Sequence, residues 1–250
     1  MVKYTETSPL DILKPFIDNY WVLETDSLYQ PSNQRIFPNA CTDVFINLGS
    51  AVPNMNSVPL IPGIIYLAGT ITSSIIIDSI PNSLFIGIRF KPGGFSKFYN
   101  LPLNEVVDEV IEFQDKQLLD LIDPDEQLTT RLDQLFLTRL SNVNTISNLT
   151  RTVETSKGRI TVDMLAKTHC VSNRTLERLF NSSIGISPKE YIKVVRFQEV
   201  LKKLRYTDIN ENLHHVAFEM GYYDNAHLTN EFKRYAGLSP SELVSLYKTA

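Results

Sequence analysis

Residues 180–190 read FNSSIGISPKE, and 52 positions later residues 232–242 read FKRYAGLSPSE. Phe180, Gly185, Ser187, Pro188 and Glu190 are repeated as Phe232, Gly237, Ser239, Pro240 and Glu242. Upstream, Leu165-Ala166 corresponds to Val216-Ala217 and Leu176 to Leu228, with one extra residue in the turn of the second copy. Two copies are too few for a solenoid, so the region is a tandem of one supersecondary unit.

Each copy reads as helix-turn-helix. In the first (about 161–185), Thr161 caps a helix over 162–169, the turn is Cys170-Val171, and Ser172 caps a second helix running to Ile184. That helix buries Leu176, Leu179 and Phe180, and turns Asn173, Arg174, Glu177 and Arg178 the other way. In the second copy (about 212–237), 213–220 is the first helix, Gly221-Tyr222-Tyr223 the turn, and Asp224 the cap of a helix to Ala236. Leu228 and Phe232 lie inside; Asn225, Ala226, Thr229 and Asn230 lie outside. Gly185 and Gly237 supply the backbone freedom needed to stop each helix. Each unit ends in Ser-Pro-x-Glu, a capping box with proline in the first turn, so new helices start at Pro188 and Pro240. The first of these, over about 188–206, contains no Gly or Pro and makes a stiff connector; the second, over about 240–248, closes the region.

A helix fits the major groove, where base edges carry a distinguishable pattern of donors and acceptors. A stiff connector lets two second helices enter successive grooves, ~34 Å apart. Arg174 and Arg178 have the reach for bidentate bonds to guanine, while Asn225, Thr229 and Asn230 suit the second groove and Ala226 offers at most an apolar contact to a thymine methyl. Lys189, Lys193, Lys233 and Arg234 lie near helix ends, where phosphate contacts set register without reading sequence. The expected partner is double-stranded DNA.

These residues resemble the DNA-binding domain of AraC/XylS-type transcriptional regulators, over about residues 145–250. The strongest match is Ala217-x3-Gly221-Tyr222-x-Asp224, then Leu228-x3-Phe232-Lys233-x3-Gly237-x-Ser239-Pro240. The first unit matches at Leu165-Ala166, Ser172, Leu176-x2-Leu179-Phe180, Gly185, Ser187-Pro188, Tyr191-Ile192 and Arg196. By position, the resemblance implies base-facing roles for Asn173, Arg174, Glu177 and Arg178, and for Asn225, Ala226, Thr229 and Asn230. The chain departs from the family pattern at Val200, where a small residue is usual, and at Leu243-Val244, where Tyr-Arg is usual.

The rest of the chain has a different character. Of 250 residues, 43% are hydrophobic and 21% charged, enough to bury a core without disulfides or metals. Residues 1–150 carry 9 Lys/Arg and 17 Asp/Glu, a net of −8; residues 151–250 carry 15 and 11, a net of +4. An acidic module is thus joined to one suited to a polyanion. No run approaches the ~18 apolar residues of a membrane span, and no secretory h-region opens the chain. Cys41 and Cys170 form no CxxC, which points to a reducing, cytoplasmic setting.

Four strands are expected, at 19–26, 42–48, 71–79 and 83–91, separated by turns at Pro31-Ser32-Asn33, 49–54, Ile61-Pro62-Gly63 and Pro81-Asn82. The spacing favours a barrel or sandwich over a parallel sheet. Leu128, Leu132, Leu135, Phe136 and Leu140 put one apolar face on a helix over 125–140. That face covers the sheet or pairs with a second copy of itself. The uncharged stretch SNVNTISNLT (141–150) marks a domain boundary, giving domains 1–142 and 143–250 and an α+β chain.

Residues 5–115 resemble the cupin-like sensor domain that commonly precedes this DNA-binding domain. The resemblance implies a β-barrel with accessory helices that binds a small effector or dimerises. Arg35, Asp43 and Arg89 are the polar groups in or beside strands that suit an effector. All four histidines lie beyond residue 150, so a metal-dependent enzyme is not expected in the β-region, nor any cofactor. Cys41 lacks a His to activate it and reads as a buried thiol. Pro92-Gly93-Gly94, with Lys91 and Lys97 nearby, has no nucleotide-binding pattern and reads as a turn. The rival readings are a small-molecule enzyme docked to nucleic acid and a protein adaptor on a repurposed helix-turn-helix fold.

Overall fold

The computed structural model describes residues 1–140, 146–206 and 213–249. The expected boundary at 142/143 lies outside them, as does the start of the second repeat unit at 212. The chain is α+β, with antiparallel sheets first and helices after.

A six-stranded sheet orders β1 (Val2–Thr7), β2 (Ile17–Thr25), β9 (Leu84–Phe90), β4 (Thr42–Asn47), β7 (Ile65–Ala68) and β10 (Val110–Glu112). A four-stranded sheet orders β3 (Ser32–Ile36), β8 (Ile75–Ser79), β5 (Asn54–Met55) and β6 (Val58–Pro59). The two sheets are separate, so the expected barrel is not closed.

The larger sheet is apolar on both faces, and the two-residue period of a strand sorts its residues. Val44, Ile46, Ile86, Ile88 and Phe90 face a core shared with α1 (Lys116–Leu121) and α2 (Leu128–Arg139). Leu128, Leu132, Leu135 and Phe136 are the buried stripe of α2, so that stripe covers the sheet. Buried Asp133 fixes the docking by accepting from the Tyr20 hydroxyl (2.9 Å) and the Leu10 N–H (3.2 Å). Asp115 caps α1 and binds Arg139 in the last turn of α2 (2.9 Å). Burial pushes the Asp115 carboxyl up, but bonds from Arg139, the Leu118 N–H and Tyr99 outweigh it and hold the group below its usual range. The opposite face, with Phe45, Phe85, Trp21 and Leu23, turns toward the smaller sheet.

Four expectations need correction. Ser32-Asn33 begins β3 rather than a turn, because its backbone pairs with Asp78–Ser79 of β8. The strand placed at 71–79 starts only at Ile75; residues 69–74 leave the ladder to form a strap. The helix placed at 125–140 starts at Leu128, since Arg131 folds back onto Asp125 and the carbonyls of Leu121 and Asp123. Within the uncharged stretch 141–150, residues 147–150 are not linker but open helix α3 (Ser147–Thr155), with Leu149 and Val153 buried one turn apart. Pro92-Gly93-Gly94 leads only into a single 3-10 turn at Phe95–Lys97.

Beyond α3 the elements are α4 (Val162–Thr168), α5 (Asn173–Ser183), α6 (Pro188–Tyr206), α7 (Leu213–Glu219), α8 (Asn225–Ala236) and α9 (Pro240–Thr249). They share one core that also takes in Ala40 and packs against Phe37 and Val107 of the β-region. Val200, Leu243 and Val244, the family departures, are all buried in it.

Candidate nucleic-acid interface and apolar cavity

The local chemistry of the repeat produces the helix starts. Thr161 accepts from the Met164 N–H (3.2 Å), Ser172 from Thr175 (3.1 Å) and Asp224 from His227 (2.7 Å). Ser187 accepts from Glu190 (3.1 Å), and Ser239 and Glu242 exchange bonds in a complete capping box. Gly237 closes α8 at φ 71°, a left-handed conformation that favours glycine.

The second helices α5 and α8 bury equivalent residues, Leu176 with Phe180 and Leu228 with Phe232. Arg174, Glu177 and Arg178 are exposed on α5, and Ala226 and Asn230 on α8. Asn173 is exposed but donates to Asp163 of α4 (2.8 Å). Thr229 and Asn225 are half-buried, and the Asn225 Oδ1 is buried without a hydrogen-bond partner.

The four cations placed at helix ends fall into two groups. Lys189 and Lys233 are exposed. Lys193 instead pairs with buried Glu231 of α8 (3.1 Å), which also accepts from the Tyr222 hydroxyl (2.9 Å). Arg234 pairs with Glu190 in the first turn of α6 (2.7 Å), and the Tyr235 hydroxyl donates to the same carboxylate (2.7 Å). Both pairs pin α8 to the connector. Sequence reasoning missed this role because each pair joins residues some forty positions apart.

A cavity of about 450 Å³ lies between the two sheets, walled by Leu23, Phe45, Met55, Leu60, Ile75 and Phe85 among others. Of the three residues matched to an effector, Asp43 and Arg89 line it together. Arg89 Nε donates to Asp43 Oδ1 (3.1 Å), and Trp21 Nε1 donates to the same oxygen (2.9 Å). The indole reaches that oxygen by lying over Gly87, where a Cβ would sit 2.1 Å from the ring. Burial alone would pull the Arg89 guanidinium down, but adjacent Asp43 outweighs it and holds the charge. Burial also pushes the Cys41 thiol up, keeping it protonated in the cavity wall.

Arg35 does not line the cavity. Its strand neighbours Gln34 and Ile36 do, and alternation sends Arg35 the other way, where it donates to Ser74 Oγ (3.0 Å) and the Ala236 carbonyl (3.1 Å). This contact belongs to a strap, residues 69–74, that meets both repeat units. Thr70 Oγ1 donates to the Ile184 carbonyl at the end of α5 (2.6 Å). Ser74 donates through N to Tyr235 (2.7 Å) and through Oγ to Ala236 (2.9 Å), at the end of α8. Asp108 steadies the strap by accepting from Thr72 N and Oγ1 (2.6 Å each). Gly69 and Ile71, on the same strap, line the cavity. The carbonyls that helix ends leave unpaired are thus met by the β-region.

Among the described residues no cluster of His, Cys, Asp and Glu is placed to hold a metal, and no helix is long and apolar enough to cross a membrane.

Two helix-turn-helix units on one connector, joined to an antiparallel β-region with an internal cavity, define a helix-turn-helix protein of two parts. Residues 165–245 match a family described as helix-turn-helix domain, and residues 5–112 match a domain of unknown function, DUF6597. The chain is 31% identical over 81 residues to the HTH-type transcriptional activator RhaS of Escherichia fergusonii, covering 32% of this chain and 28% of that protein. It is 32% identical over 81 residues to an HTH-type transcriptional regulator of Haemophilus influenzae, covering 32% and 26%. The chain spans about a quarter of the length of the curated relatives it matches. ToxT from Vibrio cholerae shares the fold across both parts, with a TM-score of 0.50 at 12% identity, covering 86% of this chain and 97% of that one. A second ToxT structure, bound to (E)-4-(8-methylnaphthalen-1-yl)but-3-enoic acid, has the same TM-score and identity and covers 86% and 98%. Residues 165–245 are thus a helix-turn-helix domain of the AraC/XylS type.

Proposed function

We propose that α5 and α8 read a specific duplex site and that a small effector in the cavity tunes that reading. Asn173, Arg174, Glu177 and Arg178 face the first groove, and Asn225, Ala226, Thr229 and Asn230 the second. Lys189 and Lys233 contact phosphate, with Lys193 and Arg234 set behind them as the clamps that hold α8 in place. Asp43 and Arg89 meet the effector. The β-region, residues 1–142, acts as a cupin-like, open-sided sensor, and residues 143–250 as the reader.

One observation carries this reading. The two second helices are tied at their C-terminal ends to a single strap, while Asn173, Arg174 and Arg178 of α5 and Ala226 and Asn230 of α8 are exposed. The inner side of that strap is cavity wall. An occupant that favours one position of Ile71 acts on both helices at once, which is what allosteric coupling requires.

Selection from randomised duplexes followed by electrophoretic shift tests the DNA half. Arg178→Ala is expected to weaken the selected site about 10–100-fold while leaving random duplex unchanged, as loss of a bidentate base contact does. Lys233→Ala is expected to weaken both and to lower the salt slope by about one. Equal losses on both duplexes for both variants would refute the assignment.

The strap has its own test. Thr70→Val keeps shape and removes the bond to Ile184, a change of about 1 kcal/mol. Amide exchange should rise about fivefold in residues 180–186 and, through the shared strap, also in 232–237. A rise confined to 180–186 would mean that the strap does not join the two units.

A further inference from the structure

We propose that the cavity selects an uncharged amphiphile, an apolar chain or ring system with a hydroxyl or carbonyl head, and discriminates against carboxylates. This inference rests on the reading of the cavity as an effector site.

The walls set the apolar part. Leu23, Phe45, Met55, Leu60, Ile75 and Phe85 offer no charge and little hydrogen bonding. The polar end sets the head. Arg89 is a cation, yet Asp43 already neutralises it at 3.1 Å, and Trp21 holds Asp43 in place. A ligand carboxylate would put a second anion on one guanidinium in a largely buried site. Two like charges there disfavour each other, and the added charge loses its hydration. Asp78, on β8, is exposed, because Ile77 and Ser79 take the cavity side of that strand, and Cys41 and Tyr4 stay neutral because burial raises both. An uncharged acceptor escapes this cost. Both described bonds from Arg89 to Asp43 run through Nε, which leaves the terminal guanidinium nitrogens to donate to a carbonyl or hydroxyl.

The test uses the full chain and two ten-carbon probes that differ only in the head, decan-1-ol and decanoate. Trp21 is the one tryptophan of the sequence and lies in the cavity wall, so its fluorescence reports occupancy directly. At about pH 8 decan-1-ol should bind at least about tenfold more tightly than decanoate, a difference of about 1.4 kcal/mol. Asp43→Asn keeps an acceptor for Trp21 and removes the anion, and it should reverse the order. Wild-type protein supplies a second readout that needs no variant. Decanoate affinity should rise as the pH falls toward about 5, where the free acid becomes populated, while decan-1-ol affinity stays level. Tighter binding of decanoate at pH 8, or an unchanged order in Asp43→Asn with a pH-independent decanoate affinity, would overturn the ligand class and leave the effector site standing. Binding of neither probe, nor of the naphthyl butenoic acid held by ToxT, would overturn the effector site itself.

Discussion

Phe197→Ala is expected to destabilise the helical region by about 3–5 kcal/mol, the usual cost of emptying a buried aromatic site. Phe197 is fully buried in the middle of α6. Its ring meets Phe232 at 5.1 Å and Tyr235 at 5.2 Å on α8, and Phe37 of the β-region at 6.2 Å. The cavity left by truncation therefore opens where connector, α8 and β-region converge. Urea unfolding of the full chain should show the loss as a lower midpoint. Phe197→Leu, which keeps most of the volume, should cost clearly less and should remain folded under conditions where the alanine variant is not. The functional consequence follows from geometry. With α8 loosened from α6, the first unit keeps its exposed face but loses its fixed spacing to the second, so affinity for a full site should fall toward that for a half site. A midpoint shift equivalent to less than about 1 kcal/mol would show that the junction is held by something other than this ring.

What the chain reveals by reading alone depends on whether the deciding interaction is local. The repeat units are legible because their boundaries are written in caps three residues long, such as Ser172 with Thr175 and Asp224 with His227. The strand Ile65–Ala68 was invisible for the opposite reason. All four residues are buried, so no alternation distinguishes it from any short apolar run. β1 escaped notice because all six of its residues are exposed at a sheet edge. The strand pattern marks Asp43 and Arg89 as polar groups in or beside strands of the β-region, but only the fold brings them together under Trp21. Arg35 shows the limit: alternation fixes which side of β3 it takes, while what covers that side is decided by Ser74 and Ala236, on other elements. The same holds for Lys193, which sequence spacing places at a helix end facing DNA and tertiary packing gives to Glu231.

Lys193→Ala should consequently act on stability rather than on the electrostatics of DNA binding. Glu231 has a side chain only 5% exposed, and Lys193, at 29%, is its cation. Removing the lysine leaves a desolvated carboxylate with the Tyr222 hydroxyl as its remaining described donor. Breaking a buried pair from one side costs about 3–5 kcal/mol; the partial exposure of Lys193 lowers the expectation to about 2–3 kcal/mol. Glu231→Gln should cost less, because the amide still accepts from Tyr222 and the stranded partner, a lysine, can swing into solvent. The double variant Lys193→Met with Glu231→Gln should then be more stable than Lys193→Ala alone, a coupling that a double-mutant cycle in urea measures directly. DNA binding separates this role from a phosphate contact. The salt slope of Lys193→Ala should match that of wild type, whereas exposed Lys233→Ala lowers it by about one. If Lys193→Ala flattens the slope and leaves the unfolding midpoint in place, the lysine serves the duplex and the pair with Glu231 is incidental.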